Sequence, residues 1–357
     1  MSLSQWGWNS YFEAMWSEAD RAHAIPARVV AQHRSLWRVA GAFGECLAEP
    51  SGKLRLAAQE GADWPAVGDW LSVAPPEASA PAIIHAVLPR RNRFVRKSPG
   101  KKLVEQVLAA NIDTALVMSA LDGDFNPRRV ERYLAQCWDS GVRPVLILSK
   151  ADACADAPGK AAEMERIALA TPVCVLSAKT GLGMEQLAPF LLPQQTLVLL
   201  GSSGVGKSTL TNCLLGQSLQ EINDVRAGDS RGQHTTTTRE LFLLPCGSLL
   251  IDTPGLRELQ LWDAEEGLSQ AFADIRLLAA QCRFSDCRHE QEPGCAVRAA
   301  LHAGTLDPAR LENRSKLLRE QAFLQRKIDP AARAQEKQRI KRLTKSAREI
   351  YRHKKPV

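Results

Sequence analysis

Gly201-Ser202-Ser203-Gly204-Val205-Gly206-Lys207-Ser208-Thr209 reads G-x-x-x-x-G-K-[ST] and follows directly on the apolar run Thr196-Leu197-Val198-Leu199-Leu200. The run has the composition of a buried strand, and Thr209-Leu210-Thr211-Asn212-Cys213-Leu214-Leu215 that of a helix. The nine residues therefore occupy the strand–loop–helix setting in which this pattern cradles phosphate. The glycines allow a turn tight enough to aim successive backbone N–H groups at one anion, and the helix N-terminus adds its positive dipole end. Lys207 is expected to neutralise β- and γ-phosphate charge, and the Ser208 hydroxyl to bind Mg²⁺. The alternative, a chance glycine-rich turn, is disfavoured by four fixed positions in the required local context.

Outward from this loop, apolar runs at 114–119, 144–148, 173–176, 196–200 and 248–251 alternate with helical stretches such as 127–137. Such alternation predicts a mostly parallel sheet with helices on both faces. Residues 27–95 instead show short runs (27–31, 36–39, 70–73, 82–87) between Gly, Pro and Asp turn signals, as in a small β-barrel. Before them lies an arm bearing Trp6, Trp8, Tyr11, Phe12 and Trp16, a stripe that fits an ordered arm or core packing equally well. Past Ala264 the chain reads as helical around a cysteine cluster and ends in a charged tail. The expected division is an arm 1–26, a barrel 27–100, an α/β domain 105–263, a helical metal-binding domain 264–330 and a basic tail 331–357.

The 357 residues are 45% hydrophobic, enough for several cores. No apolar stretch approaches the roughly 20 residues that span a bilayer. The first residues mix Trp, Glu and Asp and lack the layout of a signal peptide. A soluble cytoplasmic monomer without membrane attachment is expected. Nine cysteines then argue against a disulfide framework, and Cys46, Cys137, Cys154, Cys174, Cys213 and Cys246 are expected in core packing. Net charge is +7, yet residues 331–357 alone carry ten Lys or Arg against two Glu, leaving the remainder close to −1. A second run, Arg90, Arg91, Arg93, Arg96, Lys97, Lys101 and Lys102, holds no acid. Each could be a solvated surface; together they favour a polyanionic partner, nucleic acid foremost.

Asp252-Thr253-Pro254-Gly255 ends the run 249–251, where an Asp suits the Walker B role of holding Mg²⁺ through water and Gly255 can offer an N–H to a γ-phosphate. Ser149-Lys150-Ala151-Asp152 and Ser177-Ala178-Lys179 each end a strand, and they resemble the guanine-reading elements of GTPases, usually written NKxD and SAK. A carboxylate at Asp152 can accept both N1–H and the 2-amino hydrogens of guanine, a pattern adenine lacks, and the Lys150 stem would lie along the base. Ser149 replaces the usual Asn and removes an amide that ordinarily ties this loop to its neighbours. The base readers precede the phosphate loop, the reverse of the ordinary GTPase order, so the domain reads as a circular permutation. Between phosphate loop and Asp252, Gly232-Gln233-His234-Thr235-Thr236-Thr237-Thr238 occupies the place of the first switch. Thr236 is expected to complete the Mg²⁺ shell, with Thr235 and Thr237 as alternatives. Leu256 stands where many small GTPases have a water-orienting Gln, which leaves His234 as the candidate for that task or as a packing residue.

Cys282, Cys287, His289 and Cys295 form C-x₄-C-x-H-x₅-C, a closed Cys₃His set suited to structural zinc rather than catalysis. No C-x-x-C is present, which disfavours a redox pair.

Together these features resemble the RsgA (YjeQ-type) family of circularly permuted GTPases over residues 27–300. The resemblance implies an N-terminal OB-type barrel, a permuted P-loop GTPase domain binding GTP or GDP with Mg²⁺, and a C-terminal helical zinc domain. It also implies late maturation of the small ribosomal subunit, contact with its rRNA, and GTP hydrolysis stimulated by that particle. An RNA-binding module that holds nucleotide as a sensory or structural ligand is the competing class. Lys207, Ser208 and Asp252 favour the enzyme; Leu256 and Ser149 keep the module open.

Overall fold

The computed structural model describes residues 2–17, 22–33, 35–58, 61–76, 80–97, 105–216, 239–252 and 265–328. Ile25–Gln32 (β1), Trp37–Gly41 (β2), Gly44–Pro50 (β3), Trp70–Val73 (β4) and Ala82–Val87 (β5) close into a barrel. Its strands pair in the circuit β1-β2-β3-β5-β4-β1, antiparallel throughout except β3–β5. Val29, Val39, Ala48, Trp70, Leu71 and Ile84 are fully buried within it. Closure removes the exposed edges that a small sheet would otherwise present. The amino-terminal arm packs onto this core. Asn9 caps Ser10–Met15 (α1) by accepting from Tyr11 N–H, Phe12 is buried, and the Trp8 ring meets Trp70 edge-on at 4.7 Å. Core packing thus accounts for the aromatic stripe. A short helix, Gly52–Ala57 (α2), follows β3.

Arg93–Lys97 (β6) and Glu105–Ala110 (β7) make a separate antiparallel ribbon. Next come Thr114–Ala120 (β8), Arg143–Ser149 (β9), Val173–Val175 (β10), Thr196–Gly201 (β11), Arg239–Leu243 (β12) and Leu249–Asp252 (β13). They lie in the order β10-β9-β8-β11-β13-β12, parallel except for β12, which runs antiparallel to β13. Every residue of β8 and β11 is buried, as strands covered on both faces require. Pro127–Asp139 (α3), capped by Asn126, Ala157–Ile167 (α4) and Lys207–Leu215 (α5) belong to this unit.

Barrel and sheet are continuous. Residues 25–28 of β1 pair with β4, and Ala31 and Gln32 pair with Glu240 and Arg239 of β12; between them, at Val29 to Ala31, the register of β1 with β2 shifts. Arg38 of the barrel forms an ion pair with Glu240. Below this seam Arg28 is fully buried, with Nη2 donating to Thr196 Oγ1 (2.9 Å) and Asn111 O (3.2 Å), Nε donating to Gly68 O (3.2 Å), and its guanidinium 5.6 Å over the Trp70 ring. Burial lowers its pKa to about 10, partly opposed by Asp113, so it stays charged at neutral pH.

The described residues after β13 hold four helices: Glu265–Ala271 (α6), Ala273–Ala279 (α7), Ala296–His302 (α8) and Pro308–Ile328 (α9). The α6 helix lies so close to α3 that a Cβ at Gly267 would meet Ala135 O at 2.2 Å, which only glycine allows. Arg310 of α9 is buried; it donates to Glu131 of α3 (2.8 Å), to both oxygens of Asp274 (2.7 and 2.9 Å) and to Ala271 O (2.9 Å). Arg132 of α3 grips Glu320 of α9 through two bonds of 2.8 and 2.6 Å. No helix among the described residues is long and apolar enough to cross a membrane.

Two expectations are corrected here. Four arginines of the basic run, Arg90, Arg91, Arg93 and Arg96, are engaged within the protein. Arg90 is held by both oxygens of Asp69 (2.8 and 2.7 Å) and by the carbonyls of Ala62 and Trp64. Arg91 pairs with Asp113 at 2.6 Å, Arg93 with Glu105 at 3.0 Å, and Arg96 donates to Gln106 Oε1 at 2.9 Å. These partners are distant in sequence or across a ribbon, so a local charge count cannot see them. Lys101 and Lys102 lie outside the described residues, as does the tail 331–357. Of the six scattered cysteines, Cys137 and Cys174 are buried and Cys46 and Cys154 half-buried, but Cys213 and Cys246 are exposed. Cys213 sits on the solvent side of α5 and Cys246 in the turn joining β12 to β13.

Candidate active site

Because β8, β9, β10, β11 and β13 are parallel, their carboxyl ends share one edge, the place where open α/β sheets bind ligands. β11 ends at Gly201, and α5 begins at Lys207. Gly204 and Gly206 adopt φ of +71° and +100° between them, so the loop can reverse without a Cβ clash. Val205 is buried and anchors the loop; Ser203 and Gly204 are exposed, and Ser202, Gly206, Lys207, Ser208 and Thr209 are half-buried. Lys207 Nζ donates to Gly201 O (3.0 Å) and Ser202 O (2.6 Å), which keeps the ammonium over the loop. Asp252 ends the adjacent strand β13 and is buried, on the same edge as Ser208.

The base-reading candidates lie along the same edge. Ser149, buried at the end of β9, donates from Oγ to Val205 O at 2.7 Å. A hydroxyl therefore ties this loop to a neighbour, the phosphate loop, where the missing amide was expected to leave it less well held. Lys150 has φ +59° and opens the 3₁₀ turn Ala151–Ala153; Ala151 N–H donates to Leu176 O at 3.2 Å, which fastens this turn to the end of β10. Ser177 is buried and accepts from Thr180 N–H at 3.3 Å, with Ala178 half-buried beside it. Asp152 and Lys179 are exposed and accessible to a ligand. His234, Thr235, Thr236, Thr237, Gly255 and Leu256 lie outside the described residues.

Sequence reading missed the loop after β8. Asp122 Oδ2 accepts from Lys150 Nζ at 2.7 Å, and Asp124 accepts from the Ser202 hydroxyl and from Arg129 Nη1 (2.6 Å). Burial would push the Asp122 carboxyl up, but the Lys150 hydrogen bond and the Asp124 N–H outweigh it and hold it below the usual range. The available signal was positional: two acids directly after a central parallel strand, at the ligand edge.

Away from this edge, Cys282, Cys287, His289 and Cys295 bring their ligand atoms within 4.8 Å of one another. Cys282 Sγ and Cys295 Sγ are 3.9 Å apart, and they lie 3.7 and 3.5 Å from His289 Nδ1. A tetrahedral zinc with its usual bond lengths sets such separations at roughly 3.5–3.8 Å, so the donor set fits that ion. Burial and the Arg314 guanidinium lower the His289 pKa, favouring the neutral imidazole a metal requires. Glu292 shapes the loop: its carboxylate accepts from the N–H groups of Arg288 (2.9 Å), Glu290 (2.9 Å) and Gln291 (3.1 Å), which hold its pKa down at about 2.

A family model described as RsgA GTPase matches residues 87–262. Two relatives named small ribosomal subunit biogenesis GTPase RsgA extend the likeness along the whole chain. The one from Opitutus terrae is 46% identical, covering 98% of this chain and 97% of its own. The one from Syntrophotalea carbinolica is 45% identical with the same coverage. The chain belongs to the RsgA GTPase family. It is thus a GTP hydrolase, a class whose substrate and product, GTP and GDP, are handled with Mg²⁺. Among solved structures, YjeQ from Thermotoga maritima matches with a TM-score of 0.61 at 27% identity, covering 83% of this chain and 98% of that one. YloQ, described as a circularly permuted GTPase, shares the fold with a TM-score of 0.57 at 22% identity.

Proposed function

We propose that this RsgA GTPase serves late maturation of the small ribosomal subunit, binding the particle and its rRNA in the GTP state and leaving after hydrolysis. The observation that carries the reading is the near full-length likeness to relatives named for that role, combined with a nucleotide edge built in permuted order. In this reading Asp152 accepts from guanine N1–H and the 2-amino group, the Lys150 stem lies along the base, and Ser149, Ala151, Ser177, Ala178 and Lys179 complete the base pocket. The backbone of residues 201–209 and Lys207 hold the phosphates. Ser208, Thr236 and, through water, Asp252 would hold Mg²⁺, which supplies charge neutralisation to the phosphate oxygens. Gly255 offers its N–H to the γ-phosphate, and His234 orients the attacking water. Zinc in the Cys₃His set fixes the carboxy-terminal fold. The protein acts as a cytoplasmic monomer, stimulated by the small subunit.

The test is GTP turnover with and without purified small subunits. The expected result is a low intrinsic rate that the particle raises severalfold; an unchanged rate overturns the ribosomal role. Competition of GTP against ATP, with Asp152→Asn shifting preference from guanine towards xanthine nucleotides, tests the base assignment separately.

A further inference from the structure

The loop after β8 stands against both nucleotide-reading loops, and one of its side chains is aimed at the base site. Leu121 N–H donates to Ser149 O (2.9 Å), continuing the β8–β9 ladder past its last pair, Ala120 with Ser149. Leu121 O in turn accepts from Lys160 Nζ at 2.7 Å, which pins the loop from the α4 side. Asp122 is fixed within it by accepting Asp124 N–H on Oδ1 (2.9 Å), leaving Oδ2 for the 2.7 Å bond to Lys150 Nζ.

At its other end Lys150 is equally constrained. Its backbone sits at φ +59°, and its carbonyl accepts from Ala153 N–H at 3.0 Å at the start of the turn that carries Asp152. The four methylenes are therefore stretched between a fixed backbone and a fixed carboxylate. An unanchored lysine loses much rotamer freedom when a ligand immobilises it.

The geometry points to Asp122 as a positioning residue for guanine nucleotide binding, holding the Lys150 stem in place as a preformed wall of the base site. This rests on the reading that Lys150 and Asp152 form that site. Asp122 acts through Lys150 of the base-reading turn, so it raises affinity for GTP and GDP alike and leaves the chemical step alone. The pair is about one-third exposed on each side, so its contribution falls as salt screens it.

The test uses the full chain, with fluorescent GDP titration and steady-state GTP turnover. Asp122→Asn should weaken GDP and raise KM for GTP by roughly three- to tenfold, with kcat within twofold of wild type. Asp122→Glu should restore most of the affinity. In a Lys150→Met background Asp122→Asn should have no further effect on nucleotide affinity, because the lysine through which it acts is gone. Wild-type affinity should also drift towards that of Asp122→Asn as salt rises. A Kd unchanged by Asp122→Asn, or the same loss with and without Lys150, overturns the proposal. Asp152→Asn separates the two readings. If it leaves GDP affinity intact, the base site itself is misassigned; if it weakens GDP while Asp122→Asn does not, only the role of Asp122 is lost.

Discussion

Ser149 Oγ donates to Val205 O inside the phosphate loop, so the loop that reads the base and the loop that holds the phosphates share a hydrogen bond. Ser149→Ala leaves that buried carbonyl without its donor, a loss of about 1–3 kcal/mol in similar settings. The contact is the same before and during the reaction, so GDP affinity should fall and KM rise while kcat changes little, as nucleotide titration and initial rates would reveal. His234 calls for the opposite signature. Leu256 cannot orient water, so His234→Ala should lower subunit-stimulated turnover by about 10²–10⁴-fold with nucleotide affinity nearly intact. A stimulated rate equal to wild type would return this histidine to a packing role. At this scale the sequence was most legible where chemistry fixes spacing, as in Gly201–Thr209 and the Cys₃His set. It was least legible where a side chain finds its partner through the fold. Nothing local marks Arg28 as a buried hub, or Asp122 as the partner of a lysine 28 positions away.

At the scale of elements, α3 carries the carboxy-terminal helices. Arg310 joins Glu131 to Asp274, and losing one member of a buried ionic cluster strands the others, at about 3–5 kcal/mol. Arg310→Ala should therefore lower the thermal midpoint clearly, whereas an exposed change such as Arg319→Ala should not. The Arg132–Glu320 pair adds pH dependence. The bidentate hydrogen bond from Arg132 holds the Glu320 carboxyl below its ordinary value of 4.5, so its stabilisation is complete above that pH and is lost as pH falls through the folded value. An Arg132→Gln variant should lose this part of the acid sensitivity, measured as the midpoint difference from wild type between pH 6 and pH 4. At the Cys₃His set proposed to hold zinc, metal analysis should find about one equivalent per chain, and Cys287→Ala should lose it. The parallel strands were readable because they are apolar throughout. β3 was not: Gly44-Glu45-Cys46-Leu47-Ala48-Glu49-Pro50 has two acids and a terminal proline, and becomes a strand through its pairing with β2 and β5. Tertiary pairing overrides local preference there.

Across the whole molecule, each segment expected to respond to the γ-phosphate adjoins an element fastened to another module. The chain following Thr238 enters β12, which pairs with barrel strand β1 and is held by Arg38 through Glu240. The chain following Asp252 leads to α6, docked on α3 through Gly267, with α9 riveted alongside. Under the proposed function, nucleotide state would bias how barrel and carboxy-terminal helices are presented, the two-state arrangement a GTP-dependent binder requires. The buried pairing of Arg90 with Asp69 takes it away from a role as a free phosphate contact, which under the proposed function leaves more of the electrostatic grip to residues 331–357. Binding to small subunits should accordingly be stronger with a non-hydrolysable GTP analogue than with GDP, and should weaken steeply with salt as phosphate contacts release counterions. Removing residues 331–357 should flatten that salt slope and reduce affinity, yet leave turnover of the free enzyme nearly unchanged. Neutralising Arg90 by Arg90→Gln should instead lower thermal stability, because Asp69 would lose its buried partner. Co-sedimentation across a salt series, with both nucleotides and both variants, measures all of this. Equal binding in the two nucleotide states would break the coupling between the γ-phosphate and the neighbouring modules, and a salt slope unaltered by tail removal would move the RNA contacts elsewhere on the protein.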